Sequence, residues 1–348
     1  MQGVNLPSVG VYDVASVDGG LQASAVRRLL TYVRESSSIA FSGRRILLNP
    51  NTRWLTRPAY RNLVAGMATA LGRRGASVLL ADRSNLLKGG EGLFPATGGG
   101  NLDAAPPWQT VEFDRRNCTR LHLGSHIYRL PRMVFEVDLV VNIAGLFIEP
   151  RAQLAGAIYN MLELLCGRNR RTCPVWSLDA NRFNAAMVDI VSRAVPDLNL
   201  LAAPGADGLT QVLISTDMVA VDTLAATMAG LDPQEIPAVS LAAESGLGIG
   251  WIEAIRLVGD RPRTWLPVGP VESHGHIKGP DLPVGRLHTF QAQSETGQRS
   301  LASVRPVAVT YCNIANSADS LTPTSACVGE DRCDACRRCA KPCPILLN

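Results

Sequence analysis

Cysteine placement is the feature that most constrains this chain. Five of its nine cysteines lie within the last 22 residues of the 348. Four of them, Cys333, Cys336, Cys339 and Cys343, form a C-x2-C-x2-C-x3-C run that is followed directly by Pro344. Thiolates at such short intervals can reach several corners of one metal centre, and soft sulfur ligands suit iron. The sequence therefore predicts a metal-binding segment at the end of the chain.

The identity of the fourth ligand stays open, because the chain has only one complete cysteine run. The spacing is that of bacterial-type ferredoxins, in which the fourth cysteine of each run serves the other cluster. We assign Cys333, Cys336 and Cys339 to a 4Fe-4S cluster and expect Cys343 or Cys327 as the fourth ligand. Cys312 is a more distant choice. The competing metal is zinc, which more usually takes two C-x2-C pairs separated by a longer loop.

Composition places the rest of the chain among folded globular proteins. Hydrophobic residues make up 46% and charged residues 18% of the sequence, which is not the composition of a disordered chain. The net charge of +4 without a long basic block does not indicate a nucleic-acid or membrane partner. No secretory signal or stretch of roughly 18 apolar residues is visible. We predict a cytoplasmic protein, where reducing conditions disfavour disulfides and cysteines serve as ligands.

Strands alternate with helices in the first three quarters of the chain. A short apolar strand at 45–50 precedes a helical pattern from Pro58 to Gly75, and a second strand follows at 77–82. Such a strand–helix–strand unit implies parallel strands joined by a crossover helix. The near-continuous apolar run at 138–144 is typical of a central parallel strand.

Later segments extend the same alternation. We predict helices at 152–166, at 218–229 after a cap within Ser215–Asp217, and at 233–244, and a final strand at 255–258. The predicted fold class is α/β, with a parallel-sheet body, flanking helices and a small C-terminal ferredoxin-like cysteine tail. The predicted division is a body at 1–260, an extended connector at 261–325 and an iron–sulfur cysteine segment at 326–348.

Several short segments resemble those of one known family. They are Ile46–Asn51, Gly75–Val78 leading to Asp82, Asp138–Asn142, Gly156–Asn160, Ser215–Asp222, Gly230–Pro233 and Gly246–Gly248. Together with the cysteine tail, they resemble the domain of unknown function 362 family over roughly residues 40–260. The resemblance implies an iron–sulfur protein with an α/β domain and ferredoxin-type cysteines.

The chain departs from this family where the family carries cationic residues. Ala144–Glu149 stands where the family typically has Pro-Lys-Leu-Lys-Thr-His, and Asn49 and Tyr159 stand where it has lysines. These differences remove the lysine and histidine groups that would be the best catalytic candidates. The resemblance therefore implies a divergent member, in which the family's lysine chemistry is not expected.

Polar residues at predicted strand ends are the candidate ligand-binding groups of the body. Parallel α/β sheets bind ligands at the carboxyl ends of their strands, where Asn51, Asp82 and Asn142 are expected. Asn and Asp are also ordinary turn and cap formers. Asp222 is unusual because it lies among apolar neighbours. We take Asn51, Asp82, Asn142 and Asp222 as candidate cofactor-binding residues and leave the catalytic residues unassigned.

Two other patterns carry little weight. His122 and His126 have the i, i+4 spacing of a helical metal pair, but Gly124 and Ser125 weaken a helix and no third ligand is apparent. The glycines at 246–250 resemble half of a dinucleotide fingerprint but follow a helix, so the required strand context is missing. Neither a histidine metal site nor a Rossmann cofactor is expected.

The predicted function is that of a 4Fe-4S protein. Its cluster would transfer electrons or support redox chemistry on a small ligand or with a redox partner protein. If the chain is an enzyme, the expected class is oxidoreductase. The alternative is a non-redox enzyme or binding module that carries a structural cluster or zinc.

Overall fold

The computed structural model describes residues 6–14, 23–82, 107–113, 117–123, 126–166, 175, 178–204 and 210–265. Cys312, Cys327 and the cysteines of the terminal run lie outside the described residues. The predicted cluster ligands and the predicted division of the chain therefore stay predictions.

Twelve strands and seven α-helices occur within the described ranges. The strands are β1 (Ser8–Val14), β2 (Arg45–Pro50), β3 (Ser77–Asp82), β4 (Trp108–Glu112), β5 (Cys118–Leu123), β6 (His126–Pro131), β7 (Leu139–Gly145), β8 (Phe147–Glu149), β9 (Gln153–Ala155), β10 (Leu198–Pro204), β11 (Thr210–Ser215) and β12 (Arg256–Gly259). The helices are α1 (Ala23–Ser36), α2 (Pro58–Gly72), α3 (Met133–Glu136), α4 (Ala157–Asn160), α5 (Ala180–Arg193), α6 (Met218–Met228) and α7 (Pro237–Glu244).

The main sheet has eight of these strands, in the order β12-β1-β11-β10-β7-β2-β3-β4. Strand β11 runs antiparallel to both of its neighbours, β1 and β10. The pairs from β10 through β7, β2 and β3 to β4 are parallel, as is the pair of β1 with β12. The predicted α/β class with a parallel-sheet body and flanking helices is confirmed, with β11 as the antiparallel exception.

The centre of the sheet is covered on both faces. Residues 46–50 of β2 and 140–145 of β7 are all buried, which accounts for their nearly continuous apolar sequence. Helices α1 and α2 pack together beside β1 and β3, and α4, α5, α6 and α7 pack against one another as a second group. Polar residues within these strands are therefore enclosed by the fold.

Local signals explain several elements as predicted. Pro58 is the first residue of α2, where its missing N–H costs no hydrogen bond. After this helix the chain turns through Gly75, whose φ of +83° favours glycine. Asp217 caps α6 by accepting a hydrogen bond from the N–H of Ala220 at 2.9 Å. The predicted strands and helices around these positions are confirmed.

The helix predicted at 152–166 is wrong over its first half. Strands β8 and β9 form a hairpin there, and α4 begins only at Ala157, followed by a 3₁₀ turn at Met161–Leu164. Gln153 has a φ of +63°, which breaks any helix at that point. The segment is buried on nearly every side, so its apolar residues do not mark one helical face.

The hairpin near residue 120 contains two histidines and a cross-linked cysteine. His122 and His126 belong to the hairpin β5–β6, in which Leu123 pairs with His126, so the two histidines do not share a helix face. Cys118 at the start of β5 forms a disulfide with Cys166, which is 48 residues away. Two of the nine cysteines thus form a cross-link, contrary to the view that the cysteines serve as ligands.

No helix within the described ranges is long and apolar enough to cross a membrane.

Candidate functional site

Three asparagines lie side by side across the centre of the sheet. The register of the parallel strands pairs Asn49 of β2 with Asn142 of β7, and Asn142 with Asn199 of β10. Residues opposite one another in a ladder point to the same face. All three are buried, with at most 1% of their surface exposed. Buried amides need hydrogen-bond partners, and here the partners are largely one another.

Asn160 at the end of α4 completes this group, which we call the asparagine cluster: Asn49, Asn142, Asn160 and Asn199. The Nδ2 of Asn160 donates to the Oδ1 of Asn142 at 2.8 Å and to the carbonyl of Asn49 at 3.1 Å. The Nδ2 of Asn142 donates to the Oδ1 of Asn199 at 3.2 Å. The Nδ2 of Asn49 donates to the Oδ1 of Asn142 at 3.3 Å. The cluster joins three strands to the helix above them.

The asparagine cluster is electrically neutral. Amide side chains do not titrate near neutral pH, so the cluster holds a shape and orients dipoles without accepting or releasing a proton. The Oδ1 of Asn160 and the Nδ2 of Asn199 are buried without a hydrogen-bond partner. One acceptor and one donor thus remain unsatisfied within an otherwise complete network.

Asp222 on α6 fixes the start of α4. Its Oδ1 accepts from the N–H of Ala157 at 2.6 Å and its Oδ2 from the N–H of Ile158 at 2.9 Å. Burial raises the pKa of Asp222 to about 7, although the two N–H donors favour the ionised form and act in the opposite direction. A side chain at Gly156 would collide with this carboxylate. The carboxylate therefore stabilises a helix end that no side chain of α4 itself caps.

The turn after β2 forms the carboxyl edge of the sheet beside β7. The Oδ1 of Asn51 accepts from the N–H of Arg53 at 3.1 Å, and the N–H of Asn51 donates to the Oη of Tyr60 at 2.6 Å. The Tyr60 hydroxyl in turn donates to the carbonyl of Ile143 at 2.5 Å. Burial raises the pKa of Tyr60 well above its usual value, so the hydroxyl stays protonated. Asn51 acts here as a turn former.

Aromatic and charged side chains surround this turn. The Oγ1 of Thr52 donates to the Oε2 of Glu163 at 3.2 Å, and both residues are buried. The indole of Trp54 packs so closely on Gly145, at the end of β7, that a Cβ there would overlap it. The Arg57 guanidinium lies 4.4 Å from the centre of the Trp54 ring. This edge combines cations, aromatic faces and one carboxylate.

Two of the four candidate residues are brought together and two are not. Asn142 and Asp222 both bind Ala157. The Nδ2 of Asn142 donates to the carbonyl of Ala157 at 2.9 Å, and the N–H of Ala157 donates to Asp222. Asn51 lies at the neighbouring turn. Asp82 ends β3, which is separated from β7 by β2. In the backbone register of β3 and β4, Asp82 lies opposite Glu112.

Sequence reasoning missed Asn160, Asn199, Trp54 and Arg57. Asn199 carried a usable signal, because an amide inside the apolar stretch Leu198–Ala203 requires a buried partner. No sequence signal identified Trp54 and Arg57, because a turn sequence does not reveal which strand end it contacts. Within the described ranges, no group of three or more His, Cys, Asp or Glu residues could hold a metal ion.

Comparisons with known proteins find a matching family and a structural neighbour. The family model described as Domain of unknown function (DUF362) matches residues 46–227. No curated protein matches the chain. The structure of the lactate racemase apoprotein from Thermoanaerobacterium thermosaccharolyticum aligns at 13% sequence identity with a TM-score of 0.40. The alignment covers 58% of this chain and 55% of the racemase chain, about half of the racemase length.

Proposed function

Since the chain belongs to the family of the domain of unknown function 362, we propose that it is a 4Fe-4S protein whose α/β body holds a small ligand at the carboxyl edge of its sheet. The observation that carries this proposal is the run Cys333, Cys336, Cys339 and Cys343 followed by proline. Four thiolates at this spacing are a donor set that fits a cubane iron–sulfur cluster. Cys327 is the alternative fourth ligand.

A cluster in this segment would supply one-electron transfer, to or from the ligand of the body or a redox partner protein. If the chain turns over a substrate, its class is oxidoreductase. The α/β body contributes by holding the ligand in a fixed position. The asparagine cluster ties three strands to α4, and Asp222 fixes the start of that helix. A rigid strand-end surface of this kind holds a ligand in one orientation. A cytoplasmic location belongs to the same proposal.

The proposal is tested by anaerobic purification of the full chain, followed by quantification of iron and sulfide and by electron paramagnetic resonance before and after dithionite reduction. We expect about four iron and four sulfide per chain and a signal in the reduced state. Zinc in place of iron, or no metal after reconstitution, would contradict the proposal.

Cysteine variants locate the ligands. Cys333→Ser, Cys336→Ser and Cys339→Ser should each lose the cluster, whereas Cys173→Ser, outside the run, should retain it. Comparison of Cys343→Ser with Cys327→Ser identifies the fourth ligand, because only the true ligand is needed for full iron content. Full iron content in Cys336→Ser would contradict the assignment.

A second candidate is a non-redox binding module with a structural cluster or zinc. The neutral amides of the asparagine cluster favour it, because they offer no group that transfers protons during redox chemistry. This candidate predicts a metal centre that shows no redox transition between about −700 and +450 mV, the range of reduction potentials of known clusters. A reversible one-electron signal within that span contradicts it.

A further inference from the structure

The segment 51–61, which runs from the end of β2 into the first turn of α2, contains two buried donors that lack a partner. Trp54 is only 3% exposed, and its Nε1 has no hydrogen-bond partner. The Nε of Arg61, one turn into α2, is buried and unpartnered as well. These are two of the five such side-chain atoms within the described ranges, and the other three belong to asparagines. An unsatisfied buried donor is costly, so each calls for an acceptor.

Positive charge is concentrated around these donors. Arg57 stacks on the Trp54 ring and is the residue just before α2, whereas Arg61 lies in the first turn of that helix. No ion pair among the described residues involves Arg57 or Arg61. The guanidinium of Arg53 lies 5.7 Å from the centre of the Phe147 ring, so a third cation belongs to this edge.

The start of α2 adds to the positive potential. The helix begins at Pro58, and no side chain caps its first turn. Uncapped N–H groups and the helix dipole favour an anion at that position. Because α2 has 15 residues, its dipole is well developed.

The carboxylates near the edge are already engaged. Glu149 pairs with Arg151 at 3.0 Å and accepts from the N–H groups of Arg151 and Ala152. Glu163 accepts from the hydroxyl of Thr52 and has a further interaction. Neither carboxylate satisfies the indole N–H of Trp54 or the Nε–H of Arg61.

We propose that the segment 51–61 binds the oxyanion group of a small molecule, a carboxylate or a phosphate. The oxyanion accepts from the Nε1–H of Trp54 and from the charged guanidinium of Arg61 through its Nε–H, and Arg57, stacked on the Trp54 ring, adds a second positive charge. This inference rests on the small-ligand part of the proposed function and names the chemical class of that ligand. It is independent of the cluster.

The test follows the indole N–H signals of the full chain by ¹⁵N nuclear magnetic resonance while inorganic phosphate or acetate is added. The chain has five tryptophans, and Trp54→Phe identifies the Trp54 signal by its loss. Signal assignment in the parent chain replaces that variant if it does not fold. We expect the Trp54 signal to move with a saturating response. Saturation by phosphate alone assigns a phosphate ligand, and saturation by acetate alone assigns a carboxylate.

Arginine variants distinguish a specific anion-binding site from non-specific electrostatic attraction of the anion to the protein. Arg57→Met and Arg61→Met should each weaken binding about tenfold or more, as expected for a charge-assisted interaction. Arg73→Met, at an exposed position just after α2, should leave binding unchanged. An unmoved Trp54 signal with both anions, or equal binding in the Arg61→Met and Arg73→Met variants, overturns the inference.

The same titration on a Cys333→Ser variant distinguishes this inference from the proposed function. Binding that persists without iron supports the anion site whatever the outcome for the cluster. A full cluster with an unmoved Trp54 signal overturns only the anion site.

Discussion

At the residue scale, the ionisation of Asp222 should control stability. The carboxyl is buried and its pKa is raised to about 7, from 3.8 for an ordinary Asp. Below pH about 4 it is protonated in both the folded and the unfolded chain. Between about 4 and 7 only the folded chain keeps the proton, so the free energy of unfolding falls as pH rises, and it levels off above 7.

We therefore expect the free energy of unfolding of the parent chain to fall by about 3 kcal/mol between pH 5 and pH 8 relative to Asp222→Asn, which cannot titrate. Urea unfolding of both proteins at the two pH values measures this difference. The same pH dependence in both proteins would show that Asp222 keeps an ordinary pKa in the fold.

Asn142 is the residue on which the asparagine cluster depends most. Its side chain contacts Asn49, Asn160, Asn199 and the carbonyl of Ala157. Asn142→Ala would leave several buried partners unsatisfied, so we expect a loss of about 3 kcal/mol or more in the free energy of unfolding. Urea unfolding checks the value. Asn181→Ala, at an exposed position of α5, should change it by less than about 0.5 kcal/mol.

Single residues could be singled out from the sequence, but their partners could not. Asp222 is recognisable because a carboxylate among apolar neighbours needs a special environment, and the structure encloses it. The contacts of Asn142 depend on the register between strands that are 57 and 93 residues apart in the chain. No local pattern encodes that register. Asn51 has a typical turn sequence, and a turn is what it forms.

At the scale of elements, the disulfide between Cys118 and Cys166 should stabilise the hairpin β5–β6 against the body. The bond closes a loop of 48 residues, for which the chain-entropy model gives about 4 kcal/mol. We expect Cys118→Ser to lower the free energy of unfolding by roughly that amount, as measured by urea unfolding without reductant.

Reductant provides the matching control. Dithiothreitol should destabilise the parent chain about as much as Cys118→Ser does and should have no further effect on that variant. A parent chain whose unfolding is insensitive to both the variant and the reductant would argue against a structural cross-link.

Elements with clear boundary signals were predictable, whereas the enclosed segment 152–166 was not. Strand β2 ends in Asn-Pro and α2 starts with proline, so both bounds follow from local chemistry. The segment 152–166 is apolar on all sides because the fold surrounds it, and such a run does not separate helix from strand. Its conformation depends on Gly156 and on the carboxylate of Asp222, which comes from another helix.

At the scale of the whole molecule, Trp265 fastens the last described segment to the body. It is 1% exposed, its backbone N–H donates to the carbonyl of Met228 at 2.8 Å, and its Nε1 donates to the Oε1 of Gln211 at 3.2 Å. Trp265→Ala should lower the free energy of unfolding by about 3 to 5 kcal/mol, because it leaves a large cavity.

Trp251 provides the matched control for this variant. It is 60% exposed, so Trp251→Ala should change stability by less than about 1 kcal/mol. Thermal unfolding of the two variants side by side makes the comparison. Equal effects would mean that Trp265 is not packed as the structure has it.

The fold class followed from the alternation of strands and helices, but the strand order did not. A parallel α/β sheet is the ordinary outcome of repeated crossovers. The insertion of β11 as an antiparallel strand beside β10 and β1 depends on long-range pairing, which the local pattern of residues 210–215 does not specify.

The position of β1 sets the order in which the chain can finish folding. Both of its partners, β11 and β12, come more than 195 residues later in the chain. At about 5 to 20 residues per second of synthesis, β1 emerges roughly 10 to 50 seconds before its partners. Pairings over such separations are slow because of the loop entropy they cost. Strand β1 is therefore made well before its partners but is among the last strands to be incorporated into the sheet.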